Sequence, residues 1–219
     1  MTVLPDFIIV TFLSFLAVAS VVWYFRMRKK TLVLTKRVTE ELEKAFKPVD
    51  KTYVLLGYLV GYRAKYELES GDRVYILFTT APRHSILYYP IARALKRTDR
   101  LEIAIENFRR HVVRDLHAVD LSDSRSRAVL LRDLGAKIEV ISKRVIETSR
   151  GNYVVYYEDS GDVELVKRLL ESAKLKIYKL SAFTKNNLVE LAAEIREDAV
   201  PSLVRTLREF NRYVTRGSS

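Results

Sequence analysis

The chain has no cysteine and no glutamine, and only three histidines, seven glycines and five prolines among its 219 residues. Without cysteine it forms no disulfide, builds no cysteine-ligated zinc site and offers no thiol nucleophile. Its few glycines fall into neither a GxGxxG nor a Walker pattern, and HExxH and GxSxG are also absent. Those phosphate-cradling, zinc-hydrolase and serine-hydrolase motifs are therefore excluded, and the sequence calls for no cofactor. The missing glutamine, two methionines and 30% charged residues match the composition of proteins from hot environments, so a thermophilic source is expected.

Acidic residues are absent from positions 7–37, and within that stretch residues 7–25, FIIVTFLSFLAVASVVWYF, carry no charge at all. As a helix this run covers roughly 28 Å, close to the roughly 30 Å hydrocarbon thickness of a bilayer. Trp23 and Tyr24 at its end, followed at once by Arg26, Arg28, Lys29 and Lys30, supply an aromatic belt and a basic flank that meets headgroups. A cleavable signal peptide carries its positive charges before the apolar run; here residues 1–6 contain no Lys or Arg, although Ala17-Val18-Ala19 resembles a cleavage site. The run is read as a single transmembrane helix. The positive-inside rule then places residues 1–6 outside the cell membrane and the remainder in the cytoplasm.

The formal net charge is +11, of which residues 38–219 hold +6. Much of the excess therefore sits in the cluster ending at Lys36 and Arg37. Juxtamembrane cations attract anionic lipid at about 1 kcal/mol each, so the lipid bilayer accounts for this part of the basicity without nucleic acid.

Residues 26–48 are expected to form a basic helical stalk, with Leu34, Val38, Leu42 and Ala45 at helical spacing and Pro48 ending the pattern. Packing of this stripe on its own domain is favoured over a coiled coil, because Glu41 interrupts the heptad. Residues 49–219 are expected to fold as a cytoplasmic α+β domain, a mostly antiparallel sheet with packed helices. Alternation from Val54 through Leu56, Tyr58, Val60, Tyr62, Ala64 and Tyr66 to Leu68 predicts one long strand, bent at Gly57 and Gly61. The turn Glu69-Ser70-Gly71-Asp72 returns it as a strand over 73–80.

Further along, helices are expected over 86–95, from Ser122-Asp123-Ser124 to Leu134, and from Asp162 through Leu170. Strands are expected at 101–105, 137–146, 153–157 and 175–183, while 108–121 fits no single period. Residues 187–195 fit both periods, and the cap-like pair Asn187 and Glu190 favours helix. The terminal helix collects Val200, Leu203, Val204, Leu207, Phe210 and Val214 on one face and Arg205, Arg208, Arg212 and Arg216 near the other.

Candidate sites are few. His111 and Asp115 would share a helical face near His117 and Asp120, but this spacing matches no established ligand pattern and no metal is assigned. His84 and Ser85 lack an acidic partner for nucleophilic catalysis, and no catalytic residue is assigned. Arg109, Arg110, Arg114, Arg125 and Arg127, with the terminal arginine face, form the candidate surface for RNA or anionic lipid. Tyr58, Tyr62 and Tyr66 share their register with Val54, Leu56 and Val60, which suits a core or protein interface better than base stacking.

The leading expectation is a non-enzymatic, membrane-anchored accessory or assembly subunit that binds a protein of a membrane complex. Its alternatives are a membrane-tethered RNA or ribosome binder and an enzyme on phosphorylated or lipid-linked substrates. Oligomeric state is not legible in the sequence.

Overall fold

The computed structural model describes residues 3–95 and 97–217. It opens with one unbroken helix, α1 (Val3–Phe46), roughly 66 Å long at the ordinary helical rise. Among the described residues this is the one helix long and apolar enough to cross a membrane. The side chains of 7–15 are all exposed, whereas Thr31, Leu34, Val38, Leu42 and Phe46 are buried at steps of three and four. The expected stalk stripe thus packs on the domain. Lys47, at φ 49°, turns the chain out of the helix just ahead of Pro48, and Arg208 donates to the Ala45 carbonyl at 2.6 Å while lying over the Phe46 ring. A cation at the carbonyl end of a helix offsets its dipole.

Ten strands follow in chain order, with helices between them: β1 (Asp50–Gly57), β2 (Gly61–Glu67), β3 (Arg73–Thr79), α2 (Tyr88–Ala94), β4 (Arg100–Glu106), β5 (Arg110–Val112), β6 (Leu116–Asp120), α3 (Ser124–Leu134), β7 (Ser142–Thr148), β8 (Gly151–Tyr157), α4 (Gly161–Ser172), β9 (Ile177–Phe183) and β10 (Leu188–Glu194). The chain ends with α5 (Val200–Val214) and β11 (Thr215–Gly217). Nine strands form one sheet in the order β1-β2-β3-β4-β10-β9-β6-β8-β7, every pairing antiparallel, and β5 pairs with β11 apart from it. The architecture is the expected α+β arrangement. One sheet face packs on the lower half of α1, on α4 and on α5; the other carries α3 and a 3-10 turn (Gly135–Glu139) over β6 and β8.

Four expectations are corrected. The long strand over 54–68 is two strands joined by a tight turn, because Gly57, Leu59 and Gly61 all adopt positive φ. A Cβ at Gly61 would overlap the Phe78 carbonyl, so that position requires glycine. Tyr62, Ala64 and Tyr66 consequently enter the core while Val54, Tyr58 and Val60 stay outside it.

Residues 188–194 are a strand at the centre of the sheet, not a helix. Val189, Leu191, Ala193 and Ile195 bury one face, and Asn187, at φ 52°, is a turn residue. Its side chain accepts from Val112 N at 2.7 Å and donates to the carbonyls of Asn107 and Arg110, tying two loops together. Residues 108–121 contain strands, so His111 and Asp115 share no helical face; and 137–141 is turn, with the strand beginning only at Ser142.

Burying a Leu or Phe side chain contributes roughly 1.5–3 kcal/mol, against a total of about 5–15 kcal/mol for a typical domain. The α1 stripe is therefore a structural part of the domain. Leu42→Ala is expected to destabilise it by about 2–5 kcal/mol in denaturant titrations of the detergent-solubilised chain, whereas Leu32→Ala on the exposed face should cost less than about 1 kcal/mol.

Candidate functional site

Three features of the described structure have functional geometry. The first is a groove of about 310 Å³ on the sheet face that α3 leaves partly open. Its floor is set by register: Arg63 faces Leu77, Leu77 faces Glu102 and Glu102 faces Ala192, with Tyr75, Ala104 and Glu190 in the neighbouring row. Arg125, Ser126, Val129 and Asp133 of α3 form its wall. Most charges here are already matched. Lys179 Nζ lies 2.5 Å from Glu190 Oε2, and Arg100 donates to Asp123 at 2.8 Å and Ser126 at 2.6 Å. Arg100 Nε approaches Glu102 to 2.8 Å without hydrogen-bond alignment, and the guanidinium lies over Tyr178.

Beneath the same face His117 and Ser181 are directly opposed across β6 and β9. Both are fully buried, and among the described residues neither ring nitrogen of His117 nor the Ser181 hydroxyl has a hydrogen-bond partner. Phe183 packs against the imidazole at 4.6 Å. Burial pushes the His117 pKa down to about 3, with Lys179 and Lys137 adding to the effect against nearby Asp115. Burial alone would raise the Asp115 carboxyl, but Lys137 at 2.5 Å and the Thr184 amide and hydroxyl hold it below its usual range. His117 is thus a neutral, fully buried core group, and the Ser181 hydroxyl opposite it is buried as well.

The second feature is the free edge of β1. All eight of its residues are exposed, and its sequence from Thr52 to Gly57 contains no charge. Val54 is 57% exposed and Leu55 79%. The opposite edge, β7, carries Lys143, Arg144 and Glu147, charges that discourage pairing with another strand.

The third feature is the contact between α1 and the near end of the sheet. Trp23 Nε1 donates to the Arg83 carbonyl at 2.9 Å, and its ring lies 5.9 Å from that of Tyr89. Tyr24 stands edge-on to His84 at 6.4 Å, and the Arg28 guanidinium lies 5.1 Å over Tyr58. Arg26, Lys29 and Lys30 of the same cluster are exposed.

The expected arginine surface divides into separate places. Arg109 and Arg110 lie at the far end of the sheet beside Arg114, which is held by Asp162 at 2.8 Å and lies over Tyr213. Arg125 and Arg127 stand at the start of α3, where Arg127 donates to the Leu121 carbonyl. Arg205, Arg208 and Arg212 are exposed on α5, with Arg208 committed to the end of α1. Arg216 leaves that face altogether: its backbone is in β11, and its side chain lies outside the described residues. No group of three or more acidic or histidine side chains is placed to hold a metal among the described residues.

Sequence reading missed the groove, the β1 edge and the partners of Trp23, Tyr24 and Arg28. The clearest overlooked signal was Lys179 inside the apolar stretch IYKLSAF, a charge that needed a partner on a neighbouring strand. No protein-family model matches the chain, and no curated protein matches it.

The neutral His117 makes a pH prediction. Its folded pKa lies below the ordinary 6.5, so the unfolded chain binds the extra proton; stability is fully present above pH 6.5 and declines as pH falls toward 3. Unfolding free energy should drop by up to about 1.4 kcal/mol per pH unit on acidification below the ordinary histidine pKa. His117→Leu should flatten that slope in denaturant titrations, and an unchanged slope in the variant would assign it elsewhere.

Proposed function

We propose that this protein is a single-pass membrane-anchored subunit whose cytoplasmic α+β domain binds an extended segment of another membrane-complex protein. The observation that carries the protein-binding half is the β1 edge: a solvent-facing strand at the end of the sheet, free of charge from Thr52 to Gly57 and bearing apolar side chains there. Such an edge recruits an incoming strand through main-chain hydrogen bonds, with pockets for alternate side chains supplying specificity. The contrast with the charged β7 edge supports recognition at β1 in particular.

The anchoring half is supported by the uncharged run at 7–25, exposed throughout its first half and followed by four cations, and by the absence of Lys and Arg from residues 1–6. The separation of the arginines into distant or internally paired groups favours a protein partner over a continuous track for RNA phosphates.

Two experiments test this. In sealed cells or spheroplasts, a membrane-impermeant maleimide should leave Val140→Cys unlabelled until the membrane is opened; labelling of intact cells would reverse the orientation. A photo-crosslinking residue at Val54 should join the full chain to one membrane-complex polypeptide in native membranes, with no such adduct from Val145 on β7. Adding Leu55→Lys should cut the Val54 adduct about tenfold, the equivalent of roughly 1.4 kcal/mol. Equal crosslinking from both edges, or indifference to Leu55→Lys, would reject strand addition at β1.

A further inference from the structure

The end of the sheet that meets α1 at Trp23, Tyr24 and Arg28 carries apolar side chains that stay largely exposed among the described residues. Leu87 is 75% exposed, Ile91 55% and Tyr58 59%, and Leu95 and Val60 are exposed beside them. These residues belong to α2, the loop before it and the β1–β2 turn; Thr80 at the start of that loop donates its hydroxyl to the Leu59 carbonyl of the turn at 2.6 Å, and both the loop and the turn meet α1, through Tyr24 with His84 and Arg28 over Tyr58. The contacts of Trp23 and Tyr24 with Arg83, His84 and Tyr89 set the rim level with the last turn of the charge-free run.

Cations accompany the apolar groups. Lys30, Arg93 and Arg97 line one cavity with Tyr89, and none of the three has a carboxylate partner among the described residues. The acidic groups of that cavity are otherwise engaged: Asp99 is held by Arg83 at 2.6 Å, Glu197 by Arg37 at 2.6 Å and Glu194 faces Arg196 at 3.4 Å. Burial raises the Asp99 carboxyl, while Ala81 N and Arg83 oppose that rise.

We infer that this rim is a lipid-contacting surface: Leu87, Ile91 and Tyr58 enter the headgroup–acyl boundary of the leaflet from which α1 emerges, and Lys30, Arg93 and Arg97 hold anionic lipid phosphates. The inference rests on reading residues 7–25 as a membrane span. Given that span, α1 is continuous and its contacts with the rim are short, so the rim has nowhere to lie except the bilayer interface. Leu, Ile and Tyr side chains beside Lys and Arg that have no carboxylate partner among the described residues are the composition of surfaces that sit about 5–10 Å into that boundary. The expected outcome is a domain held flat on the membrane at two apolar points rather than swinging on a stalk.

The natural absence of cysteine allows a direct test. Single variants Phe15→Cys, Leu87→Cys, Tyr58→Cys and Val140→Cys of the full chain would be labelled with an environment-sensitive fluorophore. Each would be reconstituted into vesicles of three parts phosphatidylcholine to one part phosphatidylglycerol, with a nitroxide high or low on the acyl chain. Val140, 89% exposed, lies at the opposite end of the sheet and serves as the solvent reference. The expected result is quenching of Phe15 by the deep nitroxide, of Leu87 and Tyr58 by the shallow one, and of Val140 by neither. Quenching at Phe15 with Leu87 and Tyr58 as dark to lipid as Val140 overturns the rim while leaving the anchor standing. No quenching at Phe15 overturns the anchor and the rim with it. Replacing phosphatidylglycerol with phosphatidylcholine should weaken quenching at Leu87 and Tyr58, and an unchanged signal overturns the anionic-headgroup assignment.

Discussion

The buried stripe of Leu34, Val38, Leu42 and Phe46 is the constraint on which the rest of the molecule depends. It makes the second half of α1 a core element, packed with α5 against one face of the nine-stranded sheet. Hydroxyl contacts reinforce it: Thr39 donates to the Tyr62 hydroxyl at 2.9 Å, and Tyr53 donates to Glu43 at 2.5 Å while meeting the Tyr66 hydroxyl at 2.7 Å. Burial raises the Tyr53 phenol far above its ordinary pKa, and its contact with Glu43 adds to that rise, so the hydroxyl stays protonated and available as a donor. Because no break separates this half of α1 from its apolar half, the position of the domain relative to residues 7–25 is set by packing rather than by a hinge.

The same constraint explains how much of the fold was legible. Elements whose apolar period and boundary signals agreed were read correctly: the stalk stripe, the hairpin around Gly71, the helix through Val163 and Leu170, and every buried apolar position of α5. Residues 187–195 were misread because both periods fit and Asn187 looks like a cap. The deciding fact is tertiary: β10 is the strand inserted between β4 and β9, joining the two halves of the sheet, and no local pattern reports that placement. Gly57 and Gly61 were read as bends because alternation continued across them. Their positive φ values, with Leu59 also left-handed, are what turn the chain back.

The site was less legible than the fold for a related reason. Basic residues are easy to count, but their availability depends on partners distant in sequence. Arg114 is matched by Asp162, Arg100 by Asp123 and Arg208 by a helix-end carbonyl, so much of the apparent positive surface is internal structure. Conversely, Lys30, Arg93 and Arg97 stand out only once the neighbouring carboxylates are seen to be engaged elsewhere. Tyrosine behaves likewise: Tyr62 and Tyr66 are core, while Tyr58, four residues before Tyr62, lies outside beneath Arg28.

These placements bear on each other. A domain fixed by α1 and, as proposed, by its apolar rim would present β1 in one attitude, since β1 runs from the end of α1 back toward the rim and is hydrogen-bonded along β2. A partner segment emerging from the same bilayer would meet that edge already aligned with it, and the rotational freedom lost on association would be correspondingly small. Preorganisation of this kind raises affinity without enlarging the contact. The proposed anchoring also gives the charge-free stretch of β1 from Thr52 to Gly57 a rationale: an exposed strand that would invite indiscriminate pairing in free solution would be held close to a membrane, where the approach of other chains is restricted to those that share it.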